Sequence, residues 1–275
     1  MIRKIAVTIS AKPNILQELY DGVKEDIFPL ASKECVYSGE GSLKLVLDKE
    51  SPSYNLVLQT CRDNNLHPYI AQWVHHTAKE LAEVNYYQLS IPTPLHLEGT
   101  TASIYGTEYT GGCPYCGLGQ KSIGDVLVDR KVLKKYRIGS LYPEIFISQE
   151  LKTLLEEQEF TGISFSGRVV DYKGRESPDY FVMDINNILP PMSPTSWLMP
   201  TDTPTERYSK CGHQVVYLRS DIQYEKQKLI GVCDFNLTYE YLDNYRMRKI
   251  VVSSKVRDCF KSNKIRAGYF PITLL

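Results

Sequence analysis

Two stretches of this chain match each other without gaps, residues 145–155 and residues 250–260. In each stretch a β-rich run ends at a serine, a residue type that commonly caps the start of a helix. Apolar residues then recur at the i, i+3, i+4 spacing of one helical face, and they are Leu151, Leu154, Leu155 and, in the second stretch, Val256, Cys259, Phe260. The sequence therefore predicts the same strand, serine cap and helix twice.

The similarity extends on both sides of these stretches. The further matching segments are the tyrosine-rich runs 86–91 and 180–185 and the strands 163–169 and 269–274 that follow the helices. Between each tyrosine-rich run and its helix, the chain passes through prolines to a turn that contains cysteine. We interpret this order as an internal duplication, with repeats at about 86–170 and 180–275. Repeated units of this size pair to bury faces that one copy leaves uncovered.

The two cysteine turns carry the most specific chemical signal. Residues 113–117 read Cys-Pro-Tyr-Cys-Gly and residues 211–213 read Cys-Gly-His, with Tyr208 where another first cysteine would stand. A Cys-x-x-Cys turn that ends in glycine brings two thiolates onto one Zn²⁺ at about 2.3 Å, because glycine tolerates the backbone conformation of a tight turn. The motif predicts one structural zinc, and its ligands would be Cys113, Cys116, Cys211 and His213.

Two other interpretations of these turns stay open, a vacant relic of a metal site and a redox-active cysteine pair. A redox pair is expected at a strand-to-helix junction, whereas glycines at 111–112 and at 117 and 119 are typical of a turn between extended segments. His213 is the least secure ligand, and a spatial neighbour or water replaces it if it does not bind. Four protein ligands would make the site closed and structural, since catalytic zinc keeps a position for water or substrate.

The first 84 residues have a different pattern from the rest. Between residues 1 and 80, β-rich runs alternate with helical periodicity, which favours helices packed on a sheet. A chain of 275 residues is long enough for two domains of roughly 150 residues each. We expect an α+β protein with an N-terminal α/β domain at 1–84 and a duplicated domain at 85–275. The two strand-knuckle-strand-helix-strand repeats of that second domain would be bridged by the zinc-ribbon-like site.

Composition and motifs narrow the function classes. Lys plus Arg equals Asp plus Glu, at 32 each, so no global field draws the molecule to nucleic acid or anionic lipid. The N-terminus has no signal-peptide core, and no run approaches the roughly 18 apolar residues of a membrane span. We therefore expect a cytoplasmic protein. No phosphate-binding loop, hydrolase elbow or zinc-protease motif occurs, which favours a non-enzymatic protein over an enzyme assembled from dispersed residues.

Charged and aromatic residues are unevenly placed and give candidate contacts for a partner. Residues 246–266 hold eight basic residues against one aspartate. Such a segment can contact phosphate or an acidic protein, although a solvated helix face explains the same pattern. The proline-rich loop 189–204 is a candidate recognition element. The candidate residues are Trp197, Met199, Arg246, Arg248, Lys249 and Arg257. We expect a protein partner, and nucleic acid bound by the basic segment is the alternative.

The cysteine turns at 113–117 and 211–212, with strand-serine-helix segments such as 145–155, resemble the bacterial double-CXXCG motif proteins. That group includes immunity proteins of polymorphic toxin systems. The resemblance covers roughly residues 65–275, and Tyr208 departs from it by breaking the second motif. It implies a cytosolic protein that neutralises a cognate toxin by binding it.

Overall fold

The computed structural model describes most of the chain. The described residues are 2–23, 41–92, 108–115, 118–119, 121–123, 126–127, 134–141, 144–170, 176–196, 198–200, 216–242 and 248–275. Within them the fold is mixed α+β, with five α-helices and several small sheets. None of these helices is long and apolar enough to cross a membrane. The chain divides into two compact units, and the first comprises Met1–Glu83, Ser196–Leu198 and Arg219–Asp221.

The first unit is a three-stranded sheet with helices packed on it. Its elements are β1 (Ile2–Ser10), α1 (Pro13–Val23), β2 (Ser42–Asp48), α2 (Pro52–Asp63), β3 (Tyr69–His75) and α3 (Ala78–Glu83). This order agrees with the alternation expected for residues 1–80. The strands lie in the order β2-β1-β3, and both pairings are antiparallel. Apolar side chains of strands and helices form one core, which contains Ile5, Val7, Ile9, Leu16, Leu19, Val23, Leu43, Leu45, Leu47, Val57 and Cys61.

Local sequence sets where two of these helices begin. The Ser51 Oγ accepts a hydrogen bond from the Tyr54 N–H at 3.2 Å, and Pro52 follows at a position where a helix has no use for the missing N–H. Before α3, the Thr77 Oγ1 accepts from the Glu80 N–H at 3.3 Å, and the Glu80 carboxylate accepts from the Thr77 N–H at 2.8 Å. This capping box lowers the pKa of Glu80, because its hydrogen bonds favour the charged carboxylate.

The remaining elements build several further sheets. The strands are β4 (Tyr86–Ser90), β5 (Glu108–Thr110), β6 (Lys121–Ile123), β7 (Val126–Leu127), β8 (Ile138–Leu141), β9 (Glu144–Ser148), β10 (Ile163–Val170), β11 (Glu176–Ile185), β12 (Leu198–Pro200), β13 (Val216–Leu218), β14 (Gln223–Tyr224), β15 (Phe235–Leu237), β16 (Ile250–Ser253), β17 (Gly268–Pro271) and β18 (Thr273–Leu274). The helices are α4 (Gln149–Glu157) and α5 (Ser254–Ser262), with a short 3-10 helix at Lys226–Leu229. Strand, serine and helix therefore occur at 145–155 and 250–260 as the sequence predicted.

The two largest of these sheets share one arrangement. Their strand orders are β7-β10-β11-β9-β8 and β15-β16-β4-β17. Ser148 lies opposite Tyr180 in the first sheet, and Ser253 lies opposite Tyr86 in the second. Each serine caps its helix, because its Oγ accepts from the N–H three residues later, at 3.2 Å for Ser148 and 3.5 Å for Ser253. The same local geometry therefore stands at the same place in both sheets.

The two helices also end in the same way. The backbone turns through Glu159 with a φ of 51° and through Lys264 with a φ of 55°, both in the left-handed region. The next N–H then bonds to the carbonyl five residues earlier, from Phe160 at 3.3 Å and from Ile265 at 2.8 Å. Start, length and end of α4 are thus repeated in α5.

One hydrophobic core joins these two sheets and their helices. It contains Tyr87, Leu89, Ile138, Ile145, Ile147, Leu151, Leu155, Met183, Phe235, Val252, Val256, Phe260 and Ile265. The Phe235 ring centroid lies 6.1 Å from that of Phe160 and 6.2 Å from that of Phe260. A side chain of the second sheet therefore packs against aromatic residues beside both helices.

The tyrosine-bearing strands pair differently from the order suggested by the sequence. The pattern placed residues 86–91 in one repeat with 145–155, and residues 180–185 in the other with 250–260. In the structure β4 lies between β16 and β17, and β11 lies between β9 and β10. Each sheet is completed by the strand assigned to the other repeat, because pairing follows which apolar faces meet in the core and not distance along the chain.

Candidate metal centre

The first cysteine turn lies at the tip of the antiparallel hairpin formed by β5 and β6. Gly111 and Gly112 leave β5 with φ values of 68° and 73°, a region that glycine adopts without the steric penalty of a Cβ atom. The Cys113 N–H then donates to the Leu118 carbonyl at 2.8 Å. This bond closes the turn that contains Cys116, which itself lies outside the described residues.

The turn has a buried anchor and an exposed tip. Leu118 is 4% exposed, whereas Tyr115 is 52% exposed, and Cys113 is half-buried. Burial of one apolar side chain fixes the loop to the body of the second unit. The tyrosine remains available to a partner.

The second cysteine turn is known through its flanks. Cys211 and His213 lie outside the described residues, as does Tyr208. The strands on either side of it, β12 and β13, pair with each other. The first residue of β13, Val216, forms a parallel bridge with Leu242, which is fully buried. Five residues of chain span at most about 17 Å, so this is the largest separation of the Cys211 and Val216 Cα atoms.

The flanks of the two turns meet the same stretch of chain. A Cβ atom placed on Gly119 would lie 3.5 Å from the Tyr241 Oη, so the end of the first turn passes close to that hydroxyl. Tyr241 immediately precedes Leu242, the residue that bridges to Val216. The loops that carry the two cysteine turns therefore approach a common two-residue segment.

The predicted donor set suits zinc. Three thiolates and one imidazole bind Zn²⁺ tetrahedrally and leave no position for substrate. Cys113 is the one predicted ligand within the described residues, and among those residues no group of three or more His, Cys, Asp or Glu is arranged to hold a metal. The hairpin and its glycines hold the Cys113 backbone in the turn conformation that such a site requires.

Arg248 and Lys249, predicted partner contacts, are tied to the β15–β16 connection. The Arg248 guanidinium donates to the Thr238 carbonyl at 2.7 Å and lies 4.5 Å from the centre of the Tyr241 ring. The Lys249 N–H donates to the Thr238 Oγ1 at 2.9 Å. Arg248 thus orients the tyrosine that meets the first cysteine turn.

Arg257 packs against the second sheet. Its guanidinium carbon lies 4.4 Å from the centre of the Tyr87 ring, it hydrogen-bonds the Tyr87 hydroxyl, and its side chain is 13% exposed. The corresponding residue of α4, Lys152, holds its Nζ 5.1 Å from the centre of the Phe181 ring. Both side chains therefore use their charge over an aromatic ring of the adjacent strand.

The other predicted partner contacts are less completely described. Met199 belongs to β12, while Trp197 and Arg246 lie outside the described residues. The preceding half of the proline-rich loop is fixed to the protein: the Met192 N–H donates to the Glu240 Oε1 at 2.8 Å. Leu189, Met192 and Ser193 are all buried, so this half of the loop is a packed segment and not a free arm.

A buried polar network went unrecognised in the sequence. Asn236 and Thr238 are both fully buried, although Asn-Leu-Thr reads as a surface glycosylation motif. The Asn236 amide donates to the carbonyls of Cys233 at 2.7 Å and Val251 at 3.3 Å, and its oxygen accepts from the Asn187 amide at 2.6 Å. Only the long-range pairing of β15 reveals this role, because no local pattern marks these polar side chains as internal.

Arg137 was also missed as a link between the two helices. It accepts a bond from Ser148 through its carbonyl, as Asp234 does from Ser253, so the two residues occupy corresponding positions before β8 and β15. The Arg137 guanidinium pairs with Glu150 and donates to the Asn263 carbonyl at 2.7 Å. A groove of about 350 Å³ lies beside it, between α4 and the residues that follow α5.

Asp234 makes the corresponding link at the other ends of the helices. Its carboxylate accepts from the Ser253 Oγ at 2.8 Å and from the Thr161 N–H and Oγ1 at 3.2 and 3.0 Å. Thr161 follows α4, and Ser253 caps α5. The two sheets are therefore held together at both ends of the helix pair.

A comparison with models of protein families found no match to this chain, and a comparison with curated proteins found none.

Proposed function

We propose that this chain is a non-enzymatic protein-binding module in which Cys113, Cys116, Cys211 and His213 hold one structural zinc. The approach of both cysteine loops to Tyr241-Leu242 is the observation that supports the shared ion. Closing a link between loops so far apart in sequence costs conformational entropy. Zinc supplies a tetrahedral cross-link, and its binding free energy, on the order of 10 kcal/mol, becomes folding free energy.

The residues of the chain prepare the two loops for this role. Leu118 anchors the first turn by burial, and the β5–β6 hairpin brings Cys113 to its tip. The Val216 bridge to Leu242 holds the exit of the second turn. A closed site of this kind contributes stability and loop position, not catalysis.

The duplication belongs to the same proposal. Each copy consists of a hairpin strand, a second strand, a serine-capped helix, a third strand and a tyrosine-bearing strand, with β4 and β11 exchanged in chain order. The identical strand order, the caps of Ser148 and Ser253, and the stacked cations Lys152 and Arg257 support it. One zinc between loops of the two copies would join them at a third place.

The partner would bind beside the first cysteine turn. Tyr115 is 52% exposed and Tyr239 is 54% exposed. Arg248 lies 5.8 Å from the centre of the Tyr239 ring and 4.5 Å from that of Tyr241. Exposed tyrosines beside a positioned arginine are the residue types that concentrate binding energy at interfaces. The resemblance to double-CXXCG proteins suggests that the partner is a toxin, which the chain would neutralise in the cytoplasm.

Metal analysis tests the zinc. Protein purified without chelators should contain one zinc per chain, and a chelator should lower its melting temperature. The Cys113→Ser variant should lose the metal and its response to chelator, whereas Cys233→Ser, in a half-buried thiol away from the turn, should keep both. Metal-free protein that melts at the same temperature with and without chelator would rule the site out.

A binding assay tests the partner surface. The protein and the product of the neighbouring gene are purified together, and their affinity is measured by calorimetry. Tyr115→Ala and Tyr239→Ala should each weaken binding at least about tenfold, whereas Leu56→Ala, at an exposed position of α2, should not. Unchanged affinity in both tyrosine variants would place the interface elsewhere, and absence of any complex would count against the toxin partner.

A further inference from the structure

The helices α4 and α5 lie side by side and antiparallel. Arg137 joins the start of α4, at Glu150, to the end of α5, at the Asn263 carbonyl. Asp234 joins Thr161, just after α4, to the N-cap of α5. Two helices that are connected in this way at both pairs of ends must run in opposite directions. Since both bury residues in one core, their outer sides form a single surface, which we call the two-helix face.

The charges on this face are inverted between the two helices. At the second, eighth and eleventh positions after the N-cap serine, α4 and its C-terminal turn carry glutamate where α5 and its turn carry lysine. The pairs are Glu150 and Lys255, Glu156 and Lys261, and Glu159 and Lys264, and all six residues are exposed. Glu157 and Arg266, also exposed, add to the same charges. One half of the face is therefore acidic and the other half is basic.

Contacts within the chain do not account for these charges. The ion pairs found on the two helices are Arg137 with Glu150, Lys152 with Glu156, and Arg257 with Asp258. Among the described residues, none joins a carboxylate of α4 to a lysine of α5. Helix electrostatics also oppose the arrangement, because glutamates stand at the C-terminal end of α4 and Lys255 stands in the first turn of α5.

We propose that the two-helix face binds a second copy of this chain. A two-fold axis parallel to the helix pair lays the acidic α4 of each copy over the basic α5 of the other, and every charge meets its opposite. A two-fold interface requires such a self-complementary surface. A nucleic acid would meet the carboxylates of α4 beside the lysines it binds, so the face suits it less well. The inference is independent of the zinc and of the toxin partner.

Sedimentation of charge-reversed variants tests the proposal. One variant carries Glu156→Lys, Glu157→Lys and Glu159→Lys, and the other carries Lys255→Glu, Lys261→Glu and Lys264→Glu. The natural chain should dimerise at low ionic strength, with a dissociation constant that rises at least about tenfold in high salt. Each variant alone should be monomeric, because like charges then face each other. An equal mixture of the two should form a heterodimer, and misfolding of either variant cannot produce that result.

The control and the contrary outcomes are distinct. Glu18→Lys with Glu50→Lys, at exposed positions of the first unit, should leave dimerisation unchanged. A natural chain that stays monomeric at every ionic strength, a dimer that salt does not weaken, or a mixture that stays monomeric would each overturn the proposal. Open chains of molecules would overturn the two-fold arrangement. Binding of DNA or RNA by a monomer, lost in the lysine-reversed variant, would assign the face to nucleic acid.

Discussion

Replacing Gly162 with alanine should destabilise the second unit far more than an ordinary glycine replacement. Gly162 lies in the connection from α4 to β10, with a φ of 87°. A Cβ atom there would lie 2.1 Å from the Phe235 carbonyl oxygen and 2.6 Å from the Cys233 Cβ. Neither neighbour is the end of a flexible side chain, so the backbones of the two sheets would have to separate.

The magnitude follows from three contributions. A non-glycine residue in the left-handed region costs about 1–2 kcal/mol, and overpacking costs about 1–3 kcal/mol. The bonds from the Phe235 N–H to the Thr161 carbonyl at 3.0 Å and from the Asn186 N–H to the Gly162 carbonyl at 2.9 Å flank the site. Weakening both removes about 1 kcal/mol or more. The expected loss in free energy of unfolding is about 4 kcal/mol.

Gly231→Ala is the matched control, because it isolates the conformational contribution. Gly231 has a φ of 74°, and an added Cβ atom would meet nothing within 4 Å. Its replacement should therefore cost about 1–2 kcal/mol. Urea unfolding of the three proteins, followed by circular dichroism, measures the difference, which should be at least about 2 kcal/mol. Equal losses in the two variants would refute the close approach of the backbones at Gly162.

Two further predictions concern buried polar groups. Asn236→Ala should cost about 2–3 kcal/mol, because the Asn187 amide and two backbone carbonyls lose their partner. The exposed Asn186→Ala should stay within about 0.5 kcal/mol in the same urea titration, and equal effects would contradict the role of the network. Burial raises the pKa of Tyr269 from 10.0 to about 12, so its contribution to stability is complete below pH 10 and is lost as the pH rises toward 12. Tyr269→Phe should flatten melting temperature against pH in this window and change it little at neutral pH, since the hydroxyl bonds no described residue; an unaltered alkaline profile would contradict this.

The sequence located the helices because their signals are local. Ser148 and Ser253 stand directly before apolar residues at helical spacing, and both serines cap helices at those positions. Ser51-Pro52 works in the same way for α2. A cap and one apolar face are set within a few residues, so neither depends on knowing the rest of the fold.

Strand partners could not be read in this way. Nothing near residues 86–90 indicates that they pair with 250–253 and 268–271, because pairing depends on which faces complete a distant core. The buried amide of Asn236 has the same origin. So does the need for glycine at Gly162, which follows from the close approach of Phe235.

The candidate metal site was predicted in part. The glycines beside Cys113 indicated a tight turn, and the structure has that turn at the tip of a hairpin. The meeting of both loops at Tyr241 has no signature in the sequence, since it arises from one Cβ-sized gap and one bridge between distant strands. Occupancy by zinc stays a prediction.

The position of β4 constrains how the protein is made. The ribosome releases Tyr87 and Leu89 early, yet the strands on both sides of β4 are translated last, roughly 180 residues later at its far edge. At typical translation speeds this delay is on the order of ten seconds. During it, the contiguous sheet from β8 to β11 can already assemble, while an apolar strand waits in water without its neighbours. A nascent chain of this protein is therefore a natural client for chaperones until its last residues emerge.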